Sequence, residues 1–222
     1  SLAVVILLPA KINFWHILVV GLTLGIATVN LGIRPHVFSF LFFVLLIKLL
    51  ERRLFANPVW APLYFGLFTV WANFHPGFLV GLLFLAVYLV IDSFGSGDFW
   101  KKTMKSRGLC ILAAAFGTIM TPAGLGNWFS IIKDSAGFIA WLKIAEFQPL
   151  VIYFPANIFY GVTGVILTAI VFLRFEKIPR PLVLGSAFLF ALPFLALIFA
   201  FYWVAIFIFV STRYLDVPIV IK

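Results

Sequence analysis

Charged side chains are scarce in this sequence. Asp, Glu, Lys and Arg together make up 10% of the 222 residues, whereas they make up about a quarter of an ordinary soluble domain. Hydrophobic residues make up 64%, including 28 Phe and 7 Trp. This composition excludes an ordinary soluble domain and predicts a protein that lies in a lipid bilayer.

Cysteine and the common catalytic motifs are also scarce or absent. Cys110 is the single cysteine, so an intrachain disulfide is excluded. The sequence has no Walker loop and none of the patterns G-x-G-x-x-G, H-E-x-x-H, C-x-x-C or G-x-S-x-G. Nucleotide hydrolysis and soluble hydrolase chemistry therefore have no support in the sequence.

Acidic residues are fewer than basic ones, 7 against 16, which gives a formal net charge of +9. In a soluble protein this excess would suggest nucleic acid as a partner. Here the basic residues fall mostly in short connections between apolar runs, as the positive-inside rule predicts for membrane proteins. We expect a lipid bilayer as the partner, and no nucleic acid.

The apolar runs predict an all-α, polytopic membrane protein. Most are 12 to 20 residues long, and they lack the period of two that barrel strands require. Residues 1–222 then form a single transmembrane domain of about eight segments, the first truncated because "LAVVILLP" is too short to cross a membrane. We expect the chain to be a fragment of a longer protein. The runs cover residues 1–9, 14–33, 37–50, 59–72, 78–91, 109–120, 158–173 and 182–210.

Basic residues in alternate connections predict which connections share a side. Lys11, "ERR", "KKTMKSR" and "RFEKIPR" are assigned to the cytoplasmic side. The opposite side then receives "RPH", "NFHPG" and the long connection over residues 121–157. These outer connections are rich in His, Asn, Pro and Gly, so the candidate site lies on the outer face.

The stretch "WANFHPGFLVG" predicts a helical hairpin. The apolar sequence from Trp60 to Asp92 is too long for one crossing, so it turns at residues 73–77. Pro76 and Gly77 suit a tight turn. The turn does not require Asn73 or His75, which makes both of them candidate site residues.

Arg34 stands on the side where positive charge is normally disfavoured. It either anchors a helix end at the headgroups or binds a phosphate, for which a planar guanidinium is suited. His36 and His75 share this side with Lys133, Asp134, Lys143 and Glu146. They lack the tight spacing of metal ligands, so a divalent metal is the weaker hypothesis. His75 or Glu146 is either a proton-transfer or ligand-positioning group or a hydrogen-bonded residue of a turn or cap.

The connection over residues 121–157 is too apolar to be free in water. In "WFSIIKDSAGFIAWLKIAEF" the aromatic and aliphatic residues recur at helical spacing around a few charges. This pattern predicts one or two amphipathic helices on the membrane surface.

Five segments resemble one family when they are taken together and in order. They are "RPHVFSFLFFVLLIKLL", "WANFHPGFLVGLLFLAVYLV", "TPAGLGNW", "IAEFQP" and "STRYL". The set is similar to bacterial members of the GT-C superfamily of polytopic membrane glycosyltransferases, which include mannosyl and arabinosyl transferases that use polyprenyl-phosphate sugars. The resemblance implies transfer of a sugar from a polyprenyl-phosphate carrier to an acceptor on the periplasmic or extracellular face of the bacterial inner membrane.

The resemblance also implies particular site residues. It implies Arg34, Asn73, His75, Glu146 and Arg213 as substrate-binding residues, and Pro35, Trp71, Pro122, Gly124 and Phe147 complete the matched elements. His36 and Lys143 are further substrate-binding candidates because they lie on the same outer side. The family's usual acidic base lies in a first outer loop, which would precede Ser1. The catalytic residue is therefore unassigned, with His75 and Glu146 as candidates, and we expect this fragment alone to be inactive.

Arg213 depends on how residues 182–210 fold. One helix kinked at Pro193 places Arg213 on the outer side, and two short helices place it on the cytoplasmic side. Two other classes of protein stay open: a transporter or lipid flippase, and a non-catalytic membrane assembly subunit.

Overall fold

The computed structural model is helical throughout the part of the chain that it describes. No strand occurs there, so the all-α prediction is confirmed. The chain divides into two compact units, one formed by Arg34–Lys143 and the other by Ser1–Ile33 with Ile144–Lys222. The single transmembrane domain stays a prediction. The described residues are 17, 18, 21, 36–94, 103–136, 156–174, 176–195 and 199–214.

The unit formed by Arg34–Lys143 contains five described helices. The first four follow the predicted apolar runs, and the fifth lies in the first part of the long outer connection. They are α1 (His36–Glu51), α2 (Ala61–Phe74), α3 (Phe78–Phe94), α4 (Thr103–Ile119) and α5 (Gly126–Ala136), with short 3₁₀ turns at Leu54–Ala56 and Pro58–Trp60.

The α2–α3 hairpin has the turn that the sequence predicts. His75 ends α2 in an extended conformation, with φ −162° and ψ 141°, and its N–H donates to the Trp71 carbonyl. Pro76 explains this conformation, because proline disfavours the α region for the residue before it. α3 then begins at Phe78. Asn73, however, lies within the last turn of α2 and is not part of the reversal.

Large aromatic side chains form the core of this unit. Those without solvent exposure include Phe43, Tyr64, Phe68, Trp71 and Phe84. The backbones of α2 and α4 approach closely at Gly117, where a Cβ would lie 2.5 Å from the Phe65 carbonyl oxygen. Close backbone contact through a small residue is typical of helix pairs in membranes.

The start of α4 differs from the sequence prediction. The apolar run predicts a helix from residue 109, but α4 begins at Thr103 and includes Lys105 and Arg107. Arg107 is 3% exposed and pairs with Asp92 of α3. The prediction that these basic residues belong to a connection was therefore wrong, because an ion pair allows the helix to extend past them.

The second unit contains three described helices: α6 (Ala156–Arg174), α7 (Arg180–Ala191) and α8 (Ala200–Tyr214). Residues 182–210 are therefore divided between two helices. The break begins in a 3₁₀ turn at Leu192–Phe194, which contains Pro193. Proline removes a helical hydrogen bond and clashes with the preceding turn, which explains the position of the break.

Tyr160, Phe190 and Trp203 join α6, α7 and α8 through ring contacts. The Tyr160 and Phe190 rings stack with centroids 4.8 Å apart, and the Phe190 and Trp203 rings are also 4.8 Å apart. The Trp203 Nε1–H donates to Thr163 Oγ1 at 2.9 Å, and the Tyr160 hydroxyl donates to the Phe190 carbonyl. The polar atoms of these buried aromatic side chains are thus satisfied within the unit.

Within the described ranges, none of the helices has both the length and the hydropathy expected of a membrane-crossing helix.

Candidate functional site

The helices α1 to α4 have two chemically different ends. At one end Ser39 contacts His75, Asn73 contacts Met120 and Phe78 packs on Trp128. We call this the histidine end. At the other end Arg53 and Arg107 both contact Asp92, and we call this the arginine end. The sequence assigns "NFHPG" and the long connection to one side, and "ERR" and "KKTMKSR" to the other. The contacts at the histidine end lie near the first two segments, and Asp92 at the arginine end connects the last two.

His75 is held at the histidine end by its Nδ1 atom. The Gly77 backbone N–H donates to Nδ1 at 2.9 Å, which closes the turn over Pro76. The Ser39 Oγ atom of α1 lies 2.7 Å from the same nitrogen. The imidazole is half-buried, and its orientation is therefore set from both sides by α1 and by its own turn.

Ser39 also links His75 to the core. Its hydroxyl oxygen accepts a hydrogen bond from the Trp71 Nε1–H at 2.9 Å. Ser39 is 2% exposed and Trp71 is completely buried. A buried indole N–H normally requires an acceptor, and Ser39 supplies it. The result is a chain of polar contacts from Trp71 through Ser39 to His75.

The Trp71 indole is itself fixed by close packing. Its ring lies 5.5 Å from the Phe68 ring, 5.8 Å from Phe42 and 6.5 Å from Phe43, measured between centroids. At Gly81 of α3 a Cβ would lie 2.4 Å from the indole. Only glycine therefore leaves room for the ring at this place, and α3 helps to determine where the indole nitrogen points.

Asn73 connects α2 to the end of α4. Its Nδ2 donates to the Thr69 carbonyl at 2.8 Å and to the Met120 carbonyl at 2.9 Å. The last carbonyls of a helix have no partner within that helix, so Asn73 satisfies one for α4. This contact gives Asn73 a structural role, although its side chain is exposed. Among the described residues, no donor contacts its Oδ1 atom, which leaves an acceptor at this end.

The fifth helix begins at the histidine end. The Trp128 Nε1–H donates to Thr118 Oγ1 at 3.1 Å, and its ring lies 5.8 Å from that of Phe78. Phe129, the next residue, is 69% exposed, and Leu125, just before α5, is 56% exposed. α5 thus attaches through Trp128 and presents Phe129 outward, as an interfacial amphipathic helix does.

The arginine end is ionic. Asp92 accepts from Arg107 and, at 3.3 Å, from Arg53, while Arg107 Nη1 donates to Ser93 Oγ at 3.3 Å. Both guanidinium carbons lie over the buried Phe55 ring, at 5.4 and 5.6 Å from its centroid. The assignment of these basic residues to a cytoplasmic connection is incomplete, since Arg107 is also a buried structural group.

The structure brings only some of the predicted site residues together. Asn73 and His75 share the histidine end. Arg34, Lys143 and Glu146 lie outside the described residues. His36 is the first residue of α1, and Arg213 lies in the last turn of α8, in the other unit. Residues 182–210 form two helices, and the side of the membrane on which Arg213 lies stays a prediction.

Ser39 was missed by sequence reasoning, and Trp71 was included only as part of a motif. A signal for Ser39 is present, because it is the one polar residue between His36 and Lys48. Its partners, however, are 32 and 36 residues away in the sequence. Local pattern does not reveal contacts at that separation.

The metal hypothesis involves His36 and His75 with carboxylates of the long outer connection. Among the residues that the structure describes, no three His, Cys, Asp or Glu side chains lie close enough together to hold a metal ion. Nδ1 of His75 is already engaged by Gly77 and Ser39.

No protein family model, curated protein or solved structure matches this chain.

Proposed function

We propose that the chain is part of a polytopic membrane glycosyltransferase. It would transfer a sugar from a polyprenyl-phosphate carrier to an acceptor on the outer face of a bacterial inner membrane. The observation that carries the proposal is the histidine end, where a positioned imidazole and a polar amide lie at the tip of an otherwise apolar helix hairpin.

The surfaces of the helices support a bilayer environment. From Leu109 to the residue after α4, the exposed residues recur at helical spacing, are all large and apolar, and are between 40% and 67% exposed: Leu109, Leu112, Phe116 and Met120. Lys105, which is also exposed, lies in the first turn of α4. Such stripes are costly in water and favourable in hydrocarbon. The close α2–α4 crossing at Gly117 is a second feature that suits membrane packing.

The chemistry at the histidine end suits a leaving phosphate. In the proposed reaction an acceptor hydroxyl attacks the anomeric carbon and gives its proton to the acidic base that the resemblance implies. The bond from that carbon to the lipid phosphate breaks, and negative charge develops on the phosphate oxygens. Hydrogen-bond donors aimed at that charge stabilise the transition state. We assign this role to His75 and, from the resemblance, to Arg34. Asn73 offers its Oδ1 as an acceptor for a sugar or acceptor hydroxyl.

Transfer by the full-length protein in vesicles tests the proposal. The substrate is a radiolabelled sugar on a synthetic polyprenyl phosphate, and His75→Ala should reduce transfer about 100-fold, as expected for loss of one transition-state donor. Asn57→Ala changes a polar residue beside the arginine end and serves as the control. Unchanged turnover in both His75→Ala and Arg34→Ala would remove these residues from the site.

A transporter of a lipid-linked sugar is the second candidate. The buried Asp92–Arg107 pair favours it, since charged pairs among apolar helices often mark a transport path. The two functions differ in product. A transporter moves the lipid-linked sugar between leaflets without releasing polyprenyl phosphate, whereas a transferase releases it.

A further inference from the structure

We infer that Ser39 and Trp71 are positioning residues that fix His75 as a hydrogen-bond donor through Nε2. This inference deepens the proposed function, on which its catalytic consequence rests. It assigns His75 to recognition of an anionic or carbonyl oxygen, the phosphate oxygen in the proposed reaction. It also excludes His75 as the general base.

The first step is the tautomer. The Gly77 backbone N–H can only donate, and it donates to His75 Nδ1 at 2.9 Å. Nδ1 must therefore be unprotonated. A neutral imidazole carries one proton, so that proton is on Nε2. The ring thus presents a donor through Nε2.

The second step is the direction of the Ser39 hydroxyl. Because Nδ1 has no hydrogen to give, the contact of 2.7 Å requires the Ser39 O–H to donate to it. Its oxygen is then available to accept the Trp71 Nε1–H, 2.9 Å away. The indole is only a donor. Each hydrogen in the chain therefore points toward His75, and the reverse arrangement is not available.

The third step is rigidity. Ser39 and Trp71 are buried, and the indole is held between aromatic rings and the Gly81 backbone. The donor chain therefore does not reorient with solvent. Donors and acceptors that orient a functional histidine from behind have the same effect in metal sites, where they fix its tautomer.

Nitrogen-15 NMR of the full-length protein labelled at histidine measures the tautomer directly. A His75→Gln variant assigns the His75 signals by their loss. We expect an unprotonated Nδ1 and a protonated Nε2 in the wild type. A protonated Nδ1 in neutral His75 would overturn the inference, whatever the protein's activity.

Two variants test the positioning. Ser39→Ala removes one of the two donors to Nδ1, whereas the Gly77 N–H remains and keeps the tautomer. We expect the Nδ1 nitrogen-15 resonance to move toward that of a less strongly hydrogen-bonded nitrogen, and sugar transfer to fall about tenfold. Ser39→Thr keeps the hydroxyl and should retain the wild-type resonance. If Ser39→Ala does not fold, Trp71→Phe, which removes the N–H donor together with part of the ring, provides the second test. An unchanged Nδ1 resonance in both Ser39→Ala and Trp71→Phe contradicts the positioning role.

The outcomes separate this inference from the proposed function. A wild-type Nε2–H tautomer with an Nδ1 resonance that moves in Ser39→Ala, in a protein with no transfer activity, supports the positioning role and contradicts the transferase. Full transfer activity with a protonated Nδ1 supports the transferase and contradicts the positioning role.

Discussion

The two ends of the helices α1 to α4 stabilise their polar residues by different interactions. At the histidine end neutral groups satisfy one another through directed hydrogen bonds among Ser39, Trp71, His75 and Gly77. At the arginine end a carboxylate neutralises guanidinium groups beside Phe55. Directed neutral contacts fix orientation, whereas the ion pair mainly allows charge to be buried.

This difference has a functional consequence. A hydrogen-bonded imidazole presents a defined donor atom to its surroundings, as a substrate site requires. At the arginine end Asp92 neutralises much of the positive charge, so this end suits a structural role. We therefore place the candidate substrate site at the histidine end.

The largest expected effect comes from breaking the ionic end. Asp92→Ala leaves Arg107, 3% exposed, without its carboxylate. Breaking a buried pair in this way costs about 3–5 kcal/mol, and we expect that loss in the free energy of unfolding measured in detergent. Asp92→Ala combined with Arg107→Met should recover much of it.

Arg53→Gly provides a control within the same cluster. The Arg53 side chain is 58% exposed, so its pair with Asp92 contributes about 0.5–1 kcal/mol at most. Its backbone is left-handed at φ 51°, a conformation that costs a non-glycine residue about 1 kcal/mol. The two changes nearly cancel in Arg53→Gly. A loss as large as that of Asp92→Ala would contradict the assignment of Arg107 as the buried partner.

A smaller effect is expected where α2 and α4 cross near the histidine end. Gly117→Ala brings a Cβ to 2.5 Å from the Phe65 carbonyl oxygen, and backbone cannot move away easily. We expect about 2–3 kcal/mol of destabilisation, as for other overpacked sites. Gly108→Ala, also in α4, meets nothing within 4 Å and should be neutral or stabilising. Equal effects of the two substitutions would show that the crossing is not close.

The smallest effect sharpens the role of Asn73. Asn73→Ala removes its hydrogen bonds to the Thr69 and Met120 carbonyls, at a cost of about 1 kcal/mol in an exposed position. Asn73→Asp has nearly the same shape but no N–H donor, and it places a carboxylate against two carbonyls. We expect Asn73→Asp to lower the free energy of unfolding more than Asn73→Ala does. The opposite order would exclude these contacts.

Much of the fold could be predicted from the sequence. Apolar runs, Pro and Gly were sufficient for helices at His36–Glu51, Ala61–Phe74 and Phe78–Phe94, and for the turn at Pro76 and Gly77. These features depend on neighbouring residues. The early start of α4 was not predictable in this way, because it depends on Asp92 neutralising Arg107.

The candidate site was less predictable than the fold. The sequence indicated His75 and Asn73 because a turn does not require them. It did not indicate their partners, since Ser39 is 36 residues from His75 and Met120 is 47 residues from Asn73. The tautomer of His75 depends on the direction of a backbone N–H, which a residue pattern cannot reveal.

The central claim is that the histidine end faces the outside of the cell and the arginine end faces the cytoplasm. Labelling of single cysteines with a membrane-impermeant maleimide in intact bacterial cells tests it most directly. Full-length protein would carry Cys110→Ala with either Ala123→Cys or Ala56→Cys, both at exposed positions, one at each end. We predict that Ala123→Cys is labelled in intact cells and that Ala56→Cys is labelled only after permeabilisation. The reverse pattern, or labelling of both in intact cells, would contradict the account.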